Sequence, residues 1–144
     1  MGRSRNTILP LENISNIIRG QSGMKVSPET SMFAMKLIEK QIRDIIERSI
    51  KIAESAKRIT IEENDILIEY NKIIPSIQKP KIPKLTTERL IKSFGAKRVS
   101  ERAIFLIQCI IEDYLTNITI KAKKITINAN RKIITPNDFE IAAL

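Results

Sequence analysis

A chain of 144 residues carrying 25 Lys and Arg against 16 Asp and Glu is sized for one domain, or for two small units sharing a core. Its net charge of +9 favours polyanions, nucleic acid first. The absence of histidine and of a glycine-rich phosphate loop speaks against an enzyme. The lone Cys109 rules out an intrachain disulfide or cysteine metal cluster, as suits a reducing compartment.

The N-terminal "MGRSRNTILP" is basic but lacks the apolar core of a secretory signal. Its Arg3 and Arg5 read either as an arm reaching DNA or as a disordered end over 1–10. No apolar run approaches the ~18 residues of a membrane span. A short helix fits 11–21 after Pro10. The turn "GMKVSPET" then ends in a strong helix start, Ser27-Pro28-Glu29, with a hydroxyl cap, a first-position proline and an acid in the first turn. From it Ala34, Ile38, Ile42, Ile45, Ile52 and Ala56 recur at helical spacing. A third helix opens at Thr60-Ile61-Glu62-Glu63.

The next stretch, "PSIQKPKIP" over 75–83, holds three prolines and reads as a short, stiff, basic linker. Beyond it the pattern returns. A short helix fits 86–94, capped by Thr86 or Thr87, and the turn "GAKRVSERA" leads into a start at Ser100-Glu101. The second stripe is Ile104, Ile107, Ile111, Leu115, Ile118, Ala122, Ile125 and Ala129, with Cys109 as a small apolar helix residue. Each long helix, at about 28 residues and ~1.5 Å per residue, is about 42 Å long, so it should cross a partner along its length. The last helix opens at Thr135-Pro136-Asn137-Asp138. The carboxylate clusters Glu62–Glu63–Asp65 and Glu112–Asp113 read as helix-start charges or solvated faces rather than an acid/base pair.

The return is a repeat. A shift of 73 residues aligns 11–68 with 84–141 without a gap. Leaving aside Ile–Ile matches, Val26/Val99, Ser27/Ser100, Glu39/Glu112, Ala56/Ala129, Arg58/Arg131, Asn64/Asn137 and Asp65/Asp138 coincide, most of them at two turns. Charge is unequal between the copies: residues 1–74 hold 12 basic and 10 acidic side chains, residues 75–144 hold 13 and 6.

Two short–long–short helical units with a basic turn at each junction resemble the histone fold. The second copy carries the closer likeness, in "ERLIKSFGAKRVSERA" and "NRKIITPNDFEIA"; the first matches through "GMKVSPET" and "AKRITIEENDI". The resemblance implies an all-α chain of two tandem histone folds, at 11–74 and 84–144, joined by the 75–83 linker and paired as an intramolecular pseudo-dimer. Fused pairs of this kind resemble the histone doublets of some archaea and large DNA viruses. It further implies a DNA-packaging protein that binds duplex DNA without sequence preference and bends or wraps it. Such a protein is intracellular and DNA-associated, in a nucleoid, a nucleus or viral factory, or a virion. Double-stranded DNA is the expected partner, with further copies of the chain or other histones beside it. No cofactor, small-molecule substrate or membrane is expected.

Carried over residue by residue, Arg98 matches the family's minor-groove arginine and Thr60 the threonine that braces it. Lys25 and Ile133 occupy the matching positions at the other edge, so the resemblance implies an uneven grip. Lys132, Arg89, Lys92 and Arg19 are further candidate phosphate contacts; Lys121, Lys123 and Lys124 read as either a phosphate surface or a solvated helix. Arg58 with Asp65 and Arg131 with Asp138 match structural salt bridges, which makes these arginines scaffold first and DNA contacts second. The histidine that many histones use to join dimers is replaced by Ser55 and Asn128. Two other readings stand beside this one. A histone-fold interaction subunit with weak DNA binding is compatible with the nearly neutral first half, and a basic amphipathic protein on anionic membranes is disfavoured by the isoleucine stripes.

Overall fold

The computed structural model describes residues 8–70, 72–75 and 77–144; Arg3 and Arg5 lie outside them. The elements in chain order are α1 (Leu11–Ser22), β1 (Lys25–Val26), α2 (Pro28–Ser55), β2 (Thr60–Ile61), α3 (Glu63–Glu69), α4 (Lys84–Ser93), β3 (Arg98–Val99), α5 (Glu101–Asn128), β4 (Ile133–Ile134) and α6 (Pro136–Ala142). The 73-residue shift carries every element of the first set onto one of the second, except that α4 ends two residues early. There Gly95, at φ 111, stands where the first set has Ser22.

The long helices begin where their hydroxyls allow. Ser27 accepts from the Thr30 N–H and Ser100 from the Ala103 N–H, both at 3.2 Å. Both run 28 residues without an internal break. Their inward stripes are buried from Ala34 to Ile45 and from Ile104 to Ala122. The final members expected of each stripe, Ala56 and Ala129, are instead the exposed C-caps. Helix α1 packs on both α2 and α5, and α6 likewise on both. The two sets therefore share one core, in which each fully buried isoleucine contributes roughly 2 kcal/mol.

Four expectations need correction. Helix α3 starts at Glu63, because Thr60 and Ile61 are drawn into β2. Helix α4 starts at Lys84 with Pro83 at its N-cap; the Thr86 and Thr87 hydroxyls donate back to the Pro83 carbonyl and cap nothing. The all-helical description omits two parallel strand pairs, β1 with β4 and β2 with β3. Finally, α5 is long and apolar enough to cross a membrane by length and composition. In this fold 56% of its most apolar 18-residue window is buried by the rest of the chain.

The proline-rich segment is not a free spacer. Ile82 is completely buried, and its carbonyl accepts from the Gln108 amide at 2.7 Å. The Lys81 N–H donates to the Glu112 carboxylate at 2.8 Å, while the Lys81 carbonyl accepts from Asn13 at 2.9 Å. The segment is thus stitched to α5 on one side and α1 on the other. Midway along α5, the buried Thr119 hydroxyl finds no partner among the described residues. The repeat places Ile46 at the equivalent point of α2, also fully buried.

Candidate nucleic-acid interface

Each strand pair joins the first turn of one set to the second turn of the other, so the molecule has two such edges. At one, β2 and β3 run parallel with Thr60 opposite Arg98 and Ile61 opposite Val99. At the other, β1 and β4 place Lys25 opposite Ile133 and Val26 opposite Ile134. The pairs are tied in further by the Ser100 N–H, which donates to the Ile61 carbonyl at 3.0 Å, and by the Thr30 hydroxyl, which donates to the Ile134 carbonyl at 3.1 Å. Each edge adjoins a helix N-terminus, because β1 runs into Ser27 and α2, and β3 into Ser100 and α5.

The second turns owe their shape to the ends of the long helices. Lys57 and Asn130 adopt left-handed backbone, at φ 60 and 59. The Lys57 N–H reaches the Glu54 carbonyl and the Arg58 N–H that of Ala53; Asn130 and Arg131 repeat this with Ile127 and Thr126. This is a Schellman closure, which satisfies helix-end carbonyls and turns the chain sharply. It delivers Arg58 and Arg131 onto the acid of the following helix.

Those arginines are committed. Arg58 pairs with Asp65 through two bonds of 2.9 Å and also donates to the Thr60 carbonyl at 3.0 Å. Arg131 pairs with Asp138 through bonds of 2.8 and 2.7 Å. Asp138 also accepts from the Thr126 hydroxyl at 2.7 Å and the Thr135 N–H at 2.9 Å. The Arg131 guanidinium, joined by those donors, holds the Asp138 carboxyl well below the usual carboxylate range, although burial pushes the other way. Arg58 does the same for Asp65, helped by the Glu62 N–H. Asp65 and Asp138 thereby fasten each second turn to its third helix.

The other candidates are disposed unevenly. Arg98 and Lys25 are exposed, Thr60 is half-buried, and Lys132 lies exposed beside Ile133. Arg89 and Lys92 project from α4, where Lys92 lies 3.1 Å from Glu88. Arg19 sits exposed in the last turn of α1. Lys97, not among the expected contacts, is exposed next to Arg98; the paired cations of "GAKR" are its signal in the sequence. Each edge thus combines an outward cation, a strand pair and a helix start, a set suited to phosphate oxygens.

Residues 80–143, which span α4 to α6, match the family described as histone-like transcription factor (CBF/NF-Y) and archaeal histone. Residues 80–143 form a histone-fold domain. The fold of the whole chain is similar to the crystal structure of the histone from Methanopyrus kandleri, with a TM-score of 0.69 at 18% identity, covering 93% of this chain and 92% of that one. A protein from Thermus thermophilus gives a TM-score of 0.66 at 12% identity, covering 94% of this chain and 95% of that one. Arg89, Lys92, Arg98, Arg131 and Lys132 lie within the histone-fold domain, and Arg19, Lys25, Arg58 and Thr60 lie in the preceding set.

Proposed function

We propose that the chain is a doublet of two histone folds, at 11–74 and 84–144, paired with each other inside one polypeptide, and that it binds, bends and compacts double-stranded DNA. The observation that carries this reading is the pairing of Thr60 with Arg98 at an edge that joins the two sets. It sets an exposed arginine opposite a threonine on neighbouring strands, with a helix N-terminus adjoining them. A net charge of +9 and a histone-fold domain over 80–143 support the same conclusion.

In this reading Arg98 enters the minor groove with Thr60 as its brace, and Lys25 makes the weaker contact at the opposite edge. Lys132, Arg89, Lys92 and Arg19 reach phosphates between and beside the edges, joined by Arg3 and Arg5 from the arm. Arg58 and Arg131 chiefly hold the turns in shape. No base-specific contact is built in, so preference among sequences follows deformability of the duplex.

The test is titration of random-sequence duplex across a salt series, followed by nuclease digestion of a saturated long duplex. With about ten phosphate contacts, log affinity falls against log salt with a slope near ~−9. Protection in regular steps would indicate wrapping by successive molecules, and one short protected length local bending by single ones. No binding would sink the proposal in favour of a histone-fold interaction subunit; the family description names histone-like transcription factors as well as archaeal histones.

A further inference from the structure

The repeat places a surface groove at the same point of both edges, and the two have diverged. At the Lys25 edge the groove measures about 570 Å³ and is floored by Met24, Ile127 and Ile133, with Lys25, Lys132 and Arg131 around it. At the Arg98 edge its counterpart measures about 100 Å³. There Lys97 and Glu54 stand in place of Met24 and Ile127, although Ile59, in place of Lys132, leaves one exposed isoleucine in the wall. Ile127 and Ile133 are 53% and 49% exposed. Phosphates gain nothing from such a floor, whereas a large apolar side chain flanked by carboxylates matches both floor and rim.

The chain carries such a segment itself. Helix α3 exposes Leu67 and Ile68, at 42% and 67%, among Glu62, Glu63 and Glu69. The second set keeps the isoleucine, as Ile141 at 45% exposure, but not its surroundings: Glu140 replaces Leu67, and Thr135, Pro136 and Ala142 replace the three glutamates. Helix α3 meets α5 at its start, where Glu63 lies 3.7 Å from Arg102. The groove lies at the other end of α5, by Ile127. At ~1.5 Å per residue the two are about 38 Å apart, too far for one molecule to fill its own groove.

We infer that α3 of one molecule docks into the Lys25-edge groove of the next, with Ile68 as the anchor. The contact is head-to-tail: each molecule presents one donor and one acceptor, so contacts pass from molecule to molecule and assemblies grow with concentration. It needs no DNA, but it uses Lys25 and Lys132, which the reading above gives to DNA, so the two occupants compete for this edge.

Sedimentation velocity of the full chain without DNA tests it. The wild type is expected to grow beyond two molecules as concentration rises. Ile127→Glu, which installs the residue that α2 carries as Glu54, and Ile68→Lys are each expected to weaken association roughly tenfold or more, the scale set by one buried isoleucine. Mixed together, the two variants should recover one productive contact and stop at a one-to-one pair. The inference fails if the wild type remains a single molecule, if either variant associates like the wild type, or if the mixture forms no pair. It fails equally if Ile127→Glu leaves self-association intact but weakens binding of a short duplex, which would make the groove a DNA seat.

Discussion

Arg98 and Lys25 hold matching positions, but their surroundings differ. Arginine offers a planar fork of donors and stands opposite Thr60 in the strand register; lysine is a single point charge opposite Ile133. Arg98→Ala should therefore weaken duplex binding about tenfold, and Lys25→Ala only a few-fold, as read by fluorescence anisotropy at fixed salt. Equal losses would remove the asymmetry. Three buried residues give separate tests of stability. The Asp65 and Asp138 carboxyls titrate below their usual value of about 3.9, so their contribution is complete above that pH and disappears as acid protonates them. Urea midpoints should hold steady from about pH 7 to 5 and then fall below about pH 4. Asp138→Ala, which strips the partner from Thr126 and the Thr135 N–H, should cost about 2 kcal/mol at neutral pH; a midpoint unchanged there would show that the clamp is idle. Thr119→Val makes the opposite change. It removes an unpartnered hydroxyl at nearly constant volume, and the thermal midpoint should rise by the equivalent of about 1 kcal/mol.

Among the elements, the long helices were the most legible, because Ser27-Pro28-Glu29 and Ser100-Glu101 state the starts and the isoleucine spacing states the inward face. Their ends were harder to read. Neither long helix stops at a glycine: Lys57 and Asn130 take the left-handed position, and lysine carries no hint that it will. Lys57→Gly relieves that backbone and should raise the denaturation midpoint by about 0.5–1 kcal/mol, with Asn130→Gly giving less because asparagine tolerates the conformation. A lower midpoint for Lys57→Gly would mean that its side chain contributes something the turn geometry does not reveal. The two-residue strands were not visible at all, since their partners lie far along the chain and two residues have no periodicity to detect. Thr86 and Thr87 misled for a local reason: a hydroxyl near a helix start can bond back to a carbonyl as readily as it caps an N–H.

At the scale of the whole molecule, the order of the elements was legible in the 73-residue repeat, because a shift without gaps keeps equivalent residues in equivalent positions. The way the two sets lock together was less accessible. Ile82 looks like one apolar residue among prolines, and its full burial depends on where α1 and α5 happen to run. The candidate site divides similarly. The cations of "GAKR" and "GMK" are plain in the sequence, but the opposition of Thr60 to Arg98 and of Ile133 to Lys25 is a register between distant turns. The groove beside Lys25 is further removed still, since Met24, Ile127 and Ile133 come together only when β1 meets β4.

A protein assembled from two identical chains must write every substitution twice, so a change that helps one edge is imposed on the other. Here both sets lie in one chain and each edge takes half its residues from each. A mutation therefore lands once. Isoleucine can stand at position 133 while Thr60 stays beside Arg98, and Met24 and Ile127 can open a groove on one side while Lys97 and Glu54 keep the other narrow. Placing both sets in one chain releases the two edges from each other, so that each can take its own residues.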